Sequence, residues 1–485
     1  MKIAVVGGGT AGFVAALILK QTYPKMIIDI IRSSKIGTIG VGEGTTEHWQ
    51  SFMEYVGLSH KDIIKNCDAT YKTGIMFENW CKEDYLHSVE HYFTDNFFDI
   101  SIMYSYLGAK NVKPKDLVLS PNWDSLVSLL PEQEKNITES PVSQYHFNTQ
   151  KLNEFLTDFA TSKGIKIYDD EINDIFYNED GSINYLQGKS IHNYDFYVDS
   201  TGFKKLLIGK MGAKWKSYKE HLPLNTAIVF PTENNDYPSY TLARAMDAGW
   251  MFRIPVWGRK GNGYIYDKNF IDEDDAKAEV EKFLGHTVEV KKKIEFEPGC
   301  LKNPWIKNVC AIGLSANFVE PLEATSIGTS IQQSFLLANK IFGYNQSNID
   351  QYNNETTAIM ENILDFVQLH YLGGRNDTEF WKHVKTLPLT PSLSHKLDMW
   401  KHRMPVNNDC TLGSDSVLFL AKNFFIVAYS LGLLDQKSLS KQFHSFPDNV
   451  QKYCESKMLD FDNVLKTGKF VGHKEILEII RNHNG

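Results

Sequence analysis

The feature that most constrains the fold stands at the start of the chain. Lys2–Val6 reads K-I-A-V-V, a short β-branched run, and meets G-G-G-T-A-G before A-A-L-I-L-K opens a helix. Gly7, Gly9 and Gly12 occupy the three positions of G-x-G-x-x-G, with Thr10 and Ala11 between them. Strand, glycine turn and helix in that order bring backbone close to a pyrophosphate at a helix N-terminus, so the spacing predicts a dinucleotide-binding α/β unit. A second strand is expected over residues 26–31. An acid that binds the ribose usually follows the glycines by about 20 residues. Here Arg32 stands at that place, followed by Ser33 and Ser34, and Asp29 inside the strand is a poor substitute. The adenosine end is therefore expected to be held loosely or by other groups.

Residues 36–46, I-G-T-I-G-V-G-E-G-T-T, are rich in glycine and hydroxyls. They predict a loop able to wrap a cofactor with backbone amides, with Gly40, Gly42 and Glu43 as candidates; a plain surface loop is the alternative. A strand over 308–313 ends in Gly313, a further candidate for cofactor contact.

The 485 residues allow two or three domains, and 42% hydrophobic with 23% charged residues is the balance of a soluble globular chain. The net charge of −8 gives no support for nucleic-acid or anionic-membrane binding. Six scattered cysteines without C-x-x-C fit a reducing cytoplasm better than a disulfide or zinc framework. No apolar run reaches the length of a membrane span. No metal site is expected.

Residues 69–80, A-T-Y-K-T-G-I-M-F-E-N-W, alternate with the period of a strand, placing Lys72 on one face with Gly74 and Met76. Such a lysine either snorkels or is functional. His91 and Phe93 lie in an aromatic-rich run that could line a pocket or a core, and residues 101–144 read as irregular. A helix is expected over 150–163. Residues 249–266, G-W-M-F-R-I-P-V-W-G-R-K-G-N-G-Y-I-Y, read as a hairpin turning near 258–263, either a flat platform or packed β-core. In residues 317–328, N-F-V-E-P-L-E-A-T-S-I-G, Pro321 predicts a turn before a buried helix over 327–340. Glu323, Ala324, Thr325 and Ser326 would lie at its N-terminus, a natural place for an anion or simply an ordinary capped helix. Beyond Lys340 the chain reads as mainly helical and polar.

These blocks in this order, with D-S-T-G-F at 199–203 and H-Y-L-G-G-R-N-D-T-E-F-W at 370–381, resemble the flavin-dependent halogenases of the tryptophan-halogenase family. The resemblance covers residues 3 to about 381. It implies an α/β (α+β) fold of the two-dinucleotide-binding FAD type with mixed sheets and a mainly helical C-terminal substrate-side region. The domain division it suggests is a core over 1–345, with interleaved substrate-side segments near 85–145 and 225–295, and a helical region over 346–485.

The resemblance further implies that reduced FAD and O₂ oxidise halide to hypohalous acid, which crosses a tunnel to Lys72 and halogenates an electron-rich arene. Lys72 matches the lysine that hydrogen-bonds the hypohalous acid, and Glu323 the glutamate that polarises it and takes the proton. Thr325 and Ser326 match the pair whose N–H groups hold halide. Trp250, Phe252, Ile254 and Pro255 match W-x-W-x-I-P, which keeps organic substrate from the flavin. His91 and Phe93 correspond to substrate-pocket residues.

Three departures stand out: Phe252 replaces the second tryptophan, Ala324 stands where the family has serine, and Ser326 stands where it has glycine. If that position takes a positive φ, Ser326 is strained and the halide site reshaped; bromide or iodide would then be favoured over chloride. A separate flavin reductase is the expected partner, since no second G-x-G-x-x-G is present, and an oligomer is left open. A flavin monooxygenase on the same fold and a non-catalytic flavin-binding protein are the alternative readings.

Overall fold

The computed structural model describes residues 1–37, 40, 42–88, 100–117, 125–127, 142–412, 414, 416–468 and 470–482. The described chain divides into two compact units, each assembled from three stretches: residues 1–69, 147–218 and 297–360 in the first, and 70–146, 219–296 and 361–485 in the second.

The first unit is built on a six-stranded sheet. In spatial order its strands are Trp305–Ile306, Val309–Ala311, Phe196–Asp199, Lys2–Val6, Ile27–Arg32 and Lys166–Asp169. All neighbours run parallel except the antiparallel edge strand Trp305–Ile306. Parallel strands are covered on both faces, which is why Ile3, Ala4, Val5 and Val6 are all buried. The helix Thr10–Thr22 is apolar nearly all round and packs against the helices Thr149–Ser162 and Thr325–Lys340. The expected mixed α/β dinucleotide-binding architecture is present.

The second unit contains a seven-stranded mixed sheet in the order Lys292–Glu295, Thr226–Glu233, Arg259–Tyr266, Gly249–Val256, Tyr240–Met246, Gly74–Glu78 and Tyr85–Ser88. Its remaining mass is helical, ending in His473–Asn482.

Three expectations are corrected here. Residues 70–78 do not form one strand: Thr70–Lys72 pairs with Gln144–Phe147, whereas Gly74–Glu78 belongs to the seven-stranded sheet. The break falls at Thr73, whose N–H and hydroxyl both bond Ser239. Lys72 therefore does not share a pleated face with Gly74 and Met76.

Within 101–144, read as irregular, Ile100–Lys110 is a helix. It is apolar on every side, so no helical period shows in the sequence; Tyr104 stacks on Phe425 at 4.3 Å, and Gly108 leaves room for Leu439.

The hairpin turns earlier than expected, at Trp257-Gly258. Gly261 and Gly263 pair within the strand, opposite Ile254 and Phe252.

Candidate active site

The glycine turn is held by close backbone packing. A Cβ on Gly7, whose φ is 123°, would collide with the carbonyl oxygen of Ser200, and one on Gly12 with the carbonyl oxygen of Gly7. Ser200 ties the turn down by donating from Oγ to the Val6 carbonyl at 3.0 Å. Gly9 is different: nothing lies within 4 Å of where its Cβ would be, so its backbone faces open space at the helix start. Gly313, at φ 67°, closes on the same turn, where a Cβ would sit 2.7 Å from the Ala11 methyl. The predicted residues Gly7, Gly9, Thr10, Ala11, Gly12 and Gly313 are thus brought together.

Of the other predicted cofactor residues, Gly40 and Glu43 meet the helix Thr149–Ser162 at Thr149. Gly40 and Gly42 have φ of 147° and 150°, accessible only to glycine without strain. A Cβ on Gly40 would lie 2.7 Å from Thr149 Oγ1, which donates to Glu43 Oε1 at 3.4 Å. One helical turn on, Asn153 Oδ1 accepts from Thr10 Oγ1 at 3.2 Å. Asn153 Nδ2 is buried with no partner among the described residues. Part of Glu43 is accessible, but its carboxyl lies deep enough that burial pushes it up to about 7, opposed only by the Thr149 hydroxyl. Neither Thr149 nor Asn153 was singled out by sequence; both are polar residues on the buried face of the helix, in line with Leu152, Leu156 and Ala160.

Arg32 lies across the turn. A Cβ on Gly8 would fall 2.5 Å from Arg32 Cδ, and the guanidinium donates to Thr157 Oγ1 at 3.0 Å. Asp29 is buried and accepts from the Tyr194 hydroxyl at 2.7 Å, so it is engaged within the unit.

Asp199, the first residue of D-S-T-G-F, is a hub. It accepts from the backbone N–H groups of Thr201, Leu207 and Ile208 and from the Ser315 hydroxyl.

The acidic segment has an unusual backbone. Glu323 and Ala324 both take left-handed conformations, φ 66° and 54°, directly before the helix Thr325–Lys340. A left-handed non-glycine residue costs roughly 1–2 kcal/mol. The strain foreseen at Ser326 is absent, because Ser326 is inside the helix and helical; it falls on Glu323 and Ala324 instead. Glu323 is 3% exposed and Thr325 is buried. The first N–H groups of the helix, those of Thr325 and Ser326 among them, have no intrahelical acceptor.

In the second unit Lys72 is 1% exposed at the end of its short strand. The backbone on both sides of it is fixed. Before it, the Tyr71 N–H donates to His473 Nε2 at 3.1 Å; after it, the Thr73 N–H donates to the Ser239 carbonyl at 2.6 Å. His146, opposite Thr70, contacts Thr70 Oγ1 through Nδ1 at 3.1 Å and Thr241 Oγ1 through Nε2 at 2.8 Å. Burial, with Lys72 and His473 nearby, holds His146 neutral, well below the usual imidazole range. Sequence reasoning passed over both histidines. His146 was visible only as the centre of Y-H-F, and nothing local marks His473.

Trp250, Phe252, Ile254 and Pro255 lie on one strand, all buried or nearly so, with Trp250 6.4 Å from Trp80 and 6.2 Å from Phe252 between ring centroids. His91 and Phe93 lie outside the described residues. Among the described residues no helix is long and apolar enough to cross a membrane.

Comparison with known proteins identifies the family. The 7-chloro-L-tryptophan 6-halogenase KtzR of Kutzneria sp. (strain 744) is 31% identical over 83% of this chain and 85% of its own length. The tryptophan 6-halogenase SttH of Streptomyces toxytricini is 30% identical over 83% and 84%. Among solved structures, a tryptophan halogenase from Shewanella frigidimarina superposes with a TM-score of 0.88 at 25% identity, covering 100% of this chain and 98% of that one. BrvH, a flavin-dependent halogenase from Brevundimonas sp. BAL3, gives a TM-score of 0.82 at 25% identity, covering 99% of both chains. The class is that of the flavin-dependent halogenases, an enzyme class. The family model described as tryptophan halogenase matches residues 2–446, and the chain belongs to that family.

Proposed function

We propose that this chain forms hypohalous acid from halide and delivers it to Lys72 for electrophilic halogenation of a small electron-rich arene. The glycine turn suits FAD: Gly9 leaves space at the helix start, and the buried Asn153 Nδ2 beside Thr10 is a donor suited to a cofactor oxygen. FADH₂, supplied by a separate reductase, would give two electrons to O₂ while halide gives two more, yielding water and hypohalous acid. Gly7, Gly9, Gly12, Gly40, Gly42, Glu43 and Gly313 would hold the cofactor, and the N–H groups of Thr325 and Ser326 the halide.

The Lys72 ammonium would donate to the oxygen of hypohalous acid, weakening its bond to the halogen. The halogen then bonds to an arene carbon, the O–X bond breaks, and the oxygen takes the ammonium proton and leaves as water. Glu323 would take the ring proton. Bromide and iodide give up electrons more readily than chloride, and we propose that they are favoured.

The observation that carries this reading is the burial of Lys72 to 1% exposure with the peptide groups on either side of it fixed. The test is turnover of indoles and phenols with FAD, a flavin reductase and NADH, with chloride, bromide and iodide in parallel. Catalase removes free peroxide, and Lys72→Ala serves as the control. Halogenated product that survives catalase and is lost in Lys72→Ala supports the reading. Hydroxylated product independent of halide overturns it in favour of a monooxygenase.

A further inference from the structure

The clamp on the two neighbours of Lys72 has a single origin. Ser239 takes the Thr73 N–H and its hydroxyl directly. On the other side His473 stands between: its Nε2 accepts the Tyr71 N–H at 3.1 Å, and its Nδ1 contacts the Tyr237 carbonyl at 2.9 Å. A neutral imidazole satisfies both bonds in one tautomer only, with the proton on Nδ1. Residues 237–239 thus grip the backbone before and after Lys72, one side through an imidazole and the other without it.

The imidazole comes from the first residue of the helix His473–Asn482, beyond residue 446 where the family match ends. That helix buries Ile476, Leu477 and Ile480. Lys474 lies over the Tyr237 ring at 5.8 Å and Arg481 over the Trp257 ring at 4.8 Å, and these two rings are 5.3 Å apart. The same aromatic pair that seats the helix therefore carries the carbonyl to which His473 is anchored.

We propose that His473 is a positioning residue for Lys72, fixing the strand Thr70–Lys72 so that the ammonium meets hypohalous acid and arene together. This rests on the reading of Lys72 as the residue that delivers halogen. Displacement of a reacting group by about 1 Å can cost on the order of 100-fold in rate.

The test uses the full chain with FAD, a flavin reductase, NADH, bromide and indole as the arene probe, with methionine added to intercept oxidant that escapes. His473→Ala should oxidise bromide at a rate within about twofold of the parent, read as methionine sulfoxide plus bromoindole. Bromoindole itself should fall at least about tenfold through kcat, with KM for indole little changed. His473→Gln, whose amide carbonyl reaches about as far as Nε2, should recover most of the loss. Hydrogen exchange at the Tyr71 amide should be faster in His473→Ala and near parental in His473→Gln, a measurement that needs no arene. Unchanged bromoindole or unchanged Tyr71 exchange in His473→Ala overturns the proposal, as does equal loss in both variants. Bromoindole persisting in Lys72→Ala would instead overturn the reading of Lys72.

Discussion

Gly263 stands directly beneath the ring of Phe252: a Cβ at Gly263 would lie 2.5 Å from Phe252 Cε1 and Cζ. The two residues pair across the hairpin, so the absence of one side chain sets the place of the other. Gly263→Ala should therefore tilt Phe252 and cost about 1–3 kcal/mol of stability, the usual range for overpacking. If Phe252 helps to keep arene away from the flavin, the ratio of hydroxylated to halogenated product should rise as well, which mass analysis of the products would read.

Gly7 and Gly9 should separate folding from cofactor binding. Gly7→Ala, at φ 123° against the Ser200 carbonyl, should lower the melting temperature of the flavin-free protein. Gly9→Ala meets nothing within 4 Å and should leave that temperature within the change expected for about 0.5 kcal/mol. It should nevertheless weaken FAD binding by tenfold or more, measured by fluorescence titration, because a methyl would stand where backbone is to approach the pyrophosphate.

The left-handed Ala324 before the helix Thr325–Lys340 gives an opposite sign. Ala324→Gly should stabilise the fold by about 1 kcal/mol, since Ala324 holds φ 54° and glycine does so without steric cost. Ser326→Gly, the residue usual in the family, should destabilise by a few tenths of a kcal/mol because the position is helical. Chemical denaturation of both variants checks the pair.

Glu43 and His473 should shape stability against pH in different windows. Glu43 ionises near 4.5 when unfolded and near 7 when folded, so the folded state binds more protons between those values. Stability should fall by about 3 kcal/mol as pH rises through that window and be flat above it, and Glu43→Gln should abolish this contribution. His473 is a base depressed from 6.5 to about 4 by burial. Its contribution is complete above 6.5 and lost as pH falls toward 4, at about 1.4 kcal/mol per unit. His473→Gln should remove that slope; denaturation midpoints at a series of pH values test both.

What the sequence revealed and what it concealed follow from the range of the interactions. The glycine turn was legible because strand, turn and helix are all specified within about 20 residues, and backbone approach needs those glycines whatever surrounds them. The change of sheet at Thr73 was not, because the alternation of residues 71–78 continues unbroken through it and the cause is Ser239, 166 residues away. The helix Ile100–Lys110 was missed because burial on all sides erases the polar face by which helices are read. His473 could not have been found at all: its partners Tyr237 and Tyr71 are 236 and 402 residues distant. The strain before the helix Thr325–Lys340 was foreseen but placed at Ser326, since a residue standing for glycine suggests a positive φ and an alanine standing for serine does not.

The threading of each unit from three separate stretches has a consequence during synthesis. The strand Phe196–Asp199 lies between Lys2–Val6, already made, and Val309–Ala311, whose Ala311, the partner of Asp199, follows it by 112 positions. At about 5–20 residues per second a ribosome needs roughly 6–20 s to supply that neighbour. Through this interval a parallel strand that is wholly buried in the finished fold has one edge without a partner, so the nascent chain is a natural client for chaperones that shield strand edges.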